Sequence, residues 1–218
     1  MIKNRYAYLF VISQCNQNCF DCCNNYWMKK LKGQFSFEKL KSIDLSPYSN
    51  IFITGGEPGL LSKKEIDNIS SYLLLNYGEK EIEVFTNGTN ISYWPDKIHK
   101  LVHIIDYDIK RVENASYVIV ITKKTDIKKV KSFLDKFGFE GVSIKNDSLD
   151  SLDKLSFKKV LNYLGLETNP TNEVQHVNNT KIEFETRCVN LKLDNSIFQH
   201  KLSLYRKCTC KWFNCLAV

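Results

Sequence analysis

The sequence predicts an α/β protein with parallel strands, and two features carry that prediction. Short runs rich in Val, Ile, Phe and Tyr recur along most of the chain, at residues 6–12, 51–54, 82–86, 103–107, 117–122 and 141–145. They read as apolar on both faces, as strands covered from both sides do. Between them lie segments with helical periodicity and helix-boundary residues, and strands alternating with helices imply a parallel sheet with helices outside. A chain of 218 residues is long enough for one full core, or for one domain with a small appendage.

In order, the run at 6–12 leads into a loop carrying Cys15, Cys19 and Cys22, with Cys23 beside them as an odd, spectator thiol. Ser36 is placed to cap a short helix through Lys41. The second strand delivers Gly55-Gly56-Glu57-Pro58. Ser62 and Glu65 make a capping box for a helix whose apolar positions Ile66, Ile69, Leu73 and Leu74 share one face, and Gly78 ends it. The third strand runs into Thr86-Asn87-Gly88, Pro95 opens a short helix, and 103–107 form the fourth strand, ending near Asp106, Asp108 and Lys110. The fifth, 117–122, precedes an amphipathic helix at 126–137 closed by Gly138. The sixth, 141–145, precedes a helix capped by Ser156 that ends near Gly165. Residues 165–180 read as an irregular linker. Beyond it 181–186 and 189–193 alternate like strands, Asp194-Asn195 is a turn signal, and 197–205 form the returning arm of a hairpin.

Composition narrows the function classes. Hydrophobic content of 43% and charged content of 25% fit a folded globular protein. The net charge of +7 rests on lysines scattered over the whole chain, so it reads as a solvated surface and not as a nucleic-acid footprint. Lys3 and Arg5 before an apolar run and then Cys15 imitate a lipoprotein signal, but the run is short and Gln14 replaces the small residue expected at a cleavage site. No stretch has the roughly 20 apolar residues of a membrane span. The expectation is a cytoplasmic protein whose eight cysteines serve metal or redox chemistry.

The densest chemistry is at Cys15, Cys19 and Cys22, spaced C-x3-C-x2-C. Three thiols this close suit an iron-sulfur cluster or a thiophilic metal better than a disulfide, and three thiolates leave one iron of a 4Fe-4S cluster open to a substrate. This spacing, followed by Gly55-Gly56-Glu57-Pro58 after an apolar strand, resembles the radical S-adenosylmethionine (SAM) enzymes. The resemblance implies a partial (β/α)6 barrel over residues 1–165 and a 4Fe-4S cluster on the three cysteines. It also implies SAM chelated to the fourth iron and contacted by the Gly-Gly-Glu-Pro loop, with Gly56 letting the backbone approach. One departure stands out: Asp21 precedes the third cysteine where the family often has an aromatic, and Phe20 is one place earlier. Further SAM contacts are expected from Thr86 and Asn87, and from Asp108 and Lys110, since Asp-Ile-Lys resembles an Asp-x-Lys of glycyl-radical-activating relatives. Asp106 is a candidate for the ribose hydroxyls.

Cys188, Cys208, Cys210 and Cys215 fall together in the last part of the chain, and four thiols can complete one tetrahedral or cluster site. Their arrangement resembles a Twitch or SPASM-type extension holding an auxiliary iron-sulfur cluster, here a cysteine-rich C-terminal β-hairpin extension over residues 166–218; zinc is the alternative metal. His99, His103, His176 and His200 show no ligand spacing, and His103 reads as a packed or capping residue. The family's activity is reductive cleavage of SAM to a 5′-deoxyadenosyl radical that takes hydrogen from a substrate. Here that implies oxidative or cross-linking maturation of an unknown peptide or small molecule, with flavodoxin or ferredoxin as electron donor and no nucleic acid or membrane partner. Similar small enzymes include 7-carboxy-7-deazaguanine synthases and glycyl-radical activases. The non-enzyme alternative is an iron-sulfur or zinc redox-sensing module.

Overall fold

The computed structural model describes residues 6–17, 19, 36–105, 107–146, 152–167, 174–177, 180–183 and 214–217, the last three stretches by backbone only. The chain forms two compact units, Met1–Lys100 with Cys188–Val218, and Leu101–Arg187. Both are α/β with parallel strands, the class the sequence predicts.

The first unit contains β1 (Tyr6–Ile12), α1 (Phe37–Lys41), β2 (Asn50–Gly55), α2 (Lys63–Tyr77), β3 (Glu81–Thr86) and β9 (Asn214–Ala217), with single 3-10 turns at Pro58–Leu60 and Ile91–Tyr93. Its strand order is β3-β2-β1-β9, every neighbouring pair parallel. Because side chains alternate across a strand, one set of positions builds the core. Ala7, Leu9, Val11, Ile51, Ile53, Ile82 and Val84 pack with Ile66, Ile69 and Leu73 of α2 and Leu40 of α1. Burying each large aliphatic side chain contributes about 1.5–3 kcal/mol. The capping box of α2 forms as expected: Ser62 Oγ accepts from Glu65 N, and Glu65 accepts from Ser62 N at 2.8 Å.

The other face of these strands departs from the expectation of two apolar faces. Tyr6, Tyr8, Phe52 and Phe85 form a ring cluster there, with centroids 5.7 Å apart for Tyr6 and Phe52, 4.9 Å for Tyr8 and Phe52, and 5.3 Å for Phe52 and Phe85. Glu83 stands opposite Phe52 in the ladder. Both described helices of the unit pack against the opposite, aliphatic face. Aromatic residues count as apolar in a sequence pattern, yet a ring face half open to water is a different surface from an aliphatic core.

Strand β4 (His99–His103) follows. It lies earlier than the expected 103–107, and no helix opens at Pro95. Instead Ile98 N donates to Pro95 O at 3.0 Å, closing a turn that sends Ile98 and Trp94 into the core. This strand puts Lys100 on the covered face. The lysine stem is buried there and its ammonium reaches Pro95 O at 3.2 Å and Asp96 at 3.5 Å.

The second unit contains β5 (Ala115–Ile121), α3 (Ile127–Phe137), β6 (Val142–Asn146), α4 (Lys154–Tyr163), β7 (Val174–Val177) and β8 (Thr180–Glu183). The order is β5-β6-β8-β7, parallel except for β7 against β8. Asp126 caps α3 and Val130, Phe133 and Leu134 are its buried stripe; Gly138 ends it at φ +82°. α4 begins earlier than expected because Asp153, not Ser156, is the cap: its carboxylate accepts from Ser156 N at 2.9 Å and from Ser156 Oγ at 2.6 Å. Residues 165–180, expected to be irregular, contain β7. The expected strand at 181–186 appears as β8, whereas 189–193 and 197–205 lie outside the described residues.

Candidate functional site

Three loops leave the C-terminal ends of β1, β2 and β3, and they meet. Cys15 and Cys19 lie half-buried on the first loop, and Gln17 N donates to Cys15 Sγ at 3.4 Å. Cys22, like Cys23, lies outside the described residues, and among those described no group of three His, Cys, Asp or Glu side chains is near enough to hold a metal ion.

The second loop lies flat against the first. Gly56 N donates to Ile12 O and Glu57 N to Gln14 O, each at 2.7 Å, so the ladder extends past the end of the strands. A Cβ on Gly56 would stand 1.8 Å from Gln14 O, and one on Gly55, whose φ is +142°, 2.3 Å from Ile12 O. The sequence reading placed a ligand against Gly56. The backbone leading into Cys15 already demands glycine there.

Glu57 joins the second loop to the third. It is 1% exposed; Oε1 accepts from Gly59 N at 2.8 Å and from Thr86 Oγ1 at 2.6 Å, and Oε2 accepts from Asn87 N at 2.6 Å. Burial pushes its carboxyl above the ordinary value, and the three donors pull the other way. Asn87 closes the ring back to the cysteine loop. Its Nδ2 donates to Asn16 Oδ1 at 2.8 Å, while Asn16 Nδ2 donates to Thr89 Oγ1 at 2.9 Å and Thr89 Oγ1 to Asn87 Oδ1 at 2.7 Å. Gly59 is pinned under Thr89, whose carbonyl oxygen would lie 1.8 Å from an added Cβ. Pro58 is buried as the first residue of the 3-10 turn.

The structure thus brings together Cys15, Gly55, Gly56, Glu57, Pro58, Thr86 and Asn87. Asp108 and Lys110 are exposed residues of the second unit. Asp106, Cys188, Cys208 and Cys210 lie outside the described residues, as does His200. Cys215 falls on β9, its backbone level with Tyr8 of β1. Asn16, Gly59 and Thr89 were not singled out from the sequence. Asn16 had a signal, standing between two of the cysteines, whereas the link to Thr89 exists only once the loops meet.

His103, read as packed or capping, keeps an exposed surface at the end of β4 while protein crowds round it at longer range. Loss of solvation, then the charge of Lys145, push its imidazole down to about 4. No helix among the described residues is long and apolar enough to cross a membrane. No family model matches the chain, and no curated protein matches it.

Proposed function

We propose that this chain is a radical SAM enzyme built on a partial (β/α)6 barrel. The observation that supports this most is the junction itself. The cysteine loop, Gly55-Gly56-Glu57-Pro58 and Thr86-Asn87 gather at the C-terminal ends of three adjacent parallel strands, the edge where ligands of parallel α/β folds bind. Cys15, Cys19 and Cys22 would hold a 4Fe-4S cluster, with SAM beside the Gly-Gly-Glu-Pro loop, Thr86 and Asn87; Asp106, Asp108 and Lys110 are further SAM contacts in this reading. When bound, the cluster supplies the electron that splits SAM into methionine and a 5′-deoxyadenosyl radical.

The chain's own residues have a defined task in that reading. Glu57, buried and tied to three donors, fixes the separation of the second and third loops. The Asn16-Asn87-Thr89 ring ties the cysteine loop to the third. Gly55 and Gly56 let the second loop lie against Gln14. A rigid frame of this kind holds a reactive group against one chosen bond. Cys188, Cys208, Cys210 and Cys215 would hold an auxiliary iron-sulfur cluster serving a later oxidative step on a peptide or small molecule.

Protein purified without air should contain about 8 irons per chain, falling to about 4 when the four C-terminal cysteines are replaced. SAM cleavage should survive those replacements. Zinc in place of the second set of irons would make the C-terminal site structural, and iron without SAM cleavage would favour a redox-sensing module.

A further inference from the structure

The open face of the first unit carries a second constellation that the junction does not use. Tyr6, Phe52 and Phe85 are half-buried rings in contact across three strands, with Tyr8 beneath them. Beside them His99 Nε2 stands 3.5 Å from Glu83 Oε2, with the carboxylate side chain 15% exposed and the imidazole 30%. Glu81, one step down the same face of β3, is hydrogen-bonded to Asn50. The face therefore combines flat rings, two carboxylates and an imidazole, all on strands whose other face is the aliphatic core.

We propose that this face is a binding site for a small flat cation, a ring bearing an amidine or guanidine, stacked on Phe52 and Phe85 and paired with Glu83. Three features select that class. Ring faces attract cations through their quadrupole. A carboxylate matches the parallel N–H pair of a planar amidinium. The charges facing the rings on β3 are negative, which disfavours an anionic ligand and leaves a neutral ring without use for Glu83. At about 3.3 Å per residue Phe52 lies roughly 10 Å below Gly55 along β2, so the occupant would sit close under the cysteine loop. The inference concerns binding alone and does not depend on the cofactor reading.

Benzamidine is the probe and benzyl alcohol its neutral counterpart, with binding followed by calorimetry or by ring-proton shifts. Benzamidine should bind saturably at about pH 8, and benzyl alcohol roughly tenfold or more weakly. Glu83→Gln should weaken benzamidine at least about tenfold while leaving the thermal melt cooperative. Acidifying the unaltered protein to about pH 5.5 should do the same without any substitution. The cause is that burial, with Glu81 adding and His99 opposing, pushes Glu83 up to about 7. The other titratable groups of this face are Glu81 on β3, His99 on β4, and Tyr6 and Tyr8 on β1; β2 presents Asn50, Phe52 and Thr54.

Equal affinity for benzyl alcohol, unchanged affinity in Glu83→Gln, affinity indifferent to pH, or no saturable binding would each overturn the proposal. SAM cleavage is scored separately. Benzamidine binding in protein that cleaves no SAM leaves this site standing and overturns only the cofactor reading, whereas cleavage with no benzamidine binding overturns this site alone.

Discussion

Glu57 and Glu83 belong to the same unit and both are withdrawn from water, and burial pushes both carboxyls above their ordinary value. Their surroundings differ. Glu57 at the loop junction is surrounded by donors from Gly59, Thr86 and Asn87, all belonging to the protein. Glu83 on the ring-lined face has His99 at 3.5 Å and another carboxylate, Glu81, on the same side of its strand. A buried carboxylate whose acceptor capacity is filled from within is part of the frame. One whose value stays raised beside half-buried rings is the group the proposed cation would pair with. The junction's carboxylate is satisfied from within the protein, and that of the open face is left for a ligand in this proposal.

Breaking the junction should have the largest effects. Gly56→Val forces backbone apart where Gln14 O would lie 1.8 Å from the new Cβ, and should cost at least about 3 kcal/mol in a urea melt. A melt close to that of the native chain would show that the loops do not meet. Glu57→Ala strands three donors and should cost about 3 kcal/mol. Glu57→Gln keeps the shape but turns an N–H toward a donor, and should recover only part of the loss.

The open face should respond with the opposite sign. Glu83 has a folded-state value near 7 against an ordinary 4.5, so the folded protein binds the proton more tightly than the unfolded chain. Stability therefore falls as pH rises from about 4.5 through 7, and above 7 the ionised carboxylate is a cost. Glu83→Gln should be more stable than the native chain by about 1–3 kcal/mol at pH 8 and should flatten that part of the pH profile. A loss of stability at pH 8 would make Glu83 a member of the frame, like Glu57, and erase the contrast. The smallest effect is expected of Asn16→Ala, under about 1 kcal/mol in the melt because its bonds are exposed. It should nonetheless lower the iron retained per chain by loosening the cysteine loop, and unchanged iron content would remove Asn16 from the positioning role.

The helix caps and the two motifs were legible because each is written locally: Ser62 with Glu65, Ser36, Asp126 before an amphipathic run, the cysteine spacing and Gly-Gly-Glu-Pro each depend on neighbours a few residues apart. The links of Glu57 to Thr86 and of Asn16 to Asn87 and Thr89 were not, because they join loops far apart in the chain. The open face was not, because Tyr8, Phe52 and Phe85 read as apolar whichever side they occupy. Strand β4 lies earlier than the apolar run at 103–107 suggests, because Lys100 can occupy a covered position once Pro95 O and Asp96 supply its partners. Strand β9 was missed altogether. Asn214-Cys215-Leu216-Ala217 is four residues long, its cysteine read as a ligand, and its partner β1 lies at the other end of the sequence.

The central claim is that the loop junction is a cluster and SAM site, and one experiment bears on it most directly. Anaerobically purified protein is reduced with dithionite in the presence of SAM, and 5′-deoxyadenosine is measured beside the Cys15→Ala, Cys19→Ala and Cys22→Ala proteins. The account predicts deoxyadenosine from the native chain and none from the three variants, each still folded. Iron-loaded native protein that forms no deoxyadenosine, or a Cys15→Ala protein that still forms it, would contradict it.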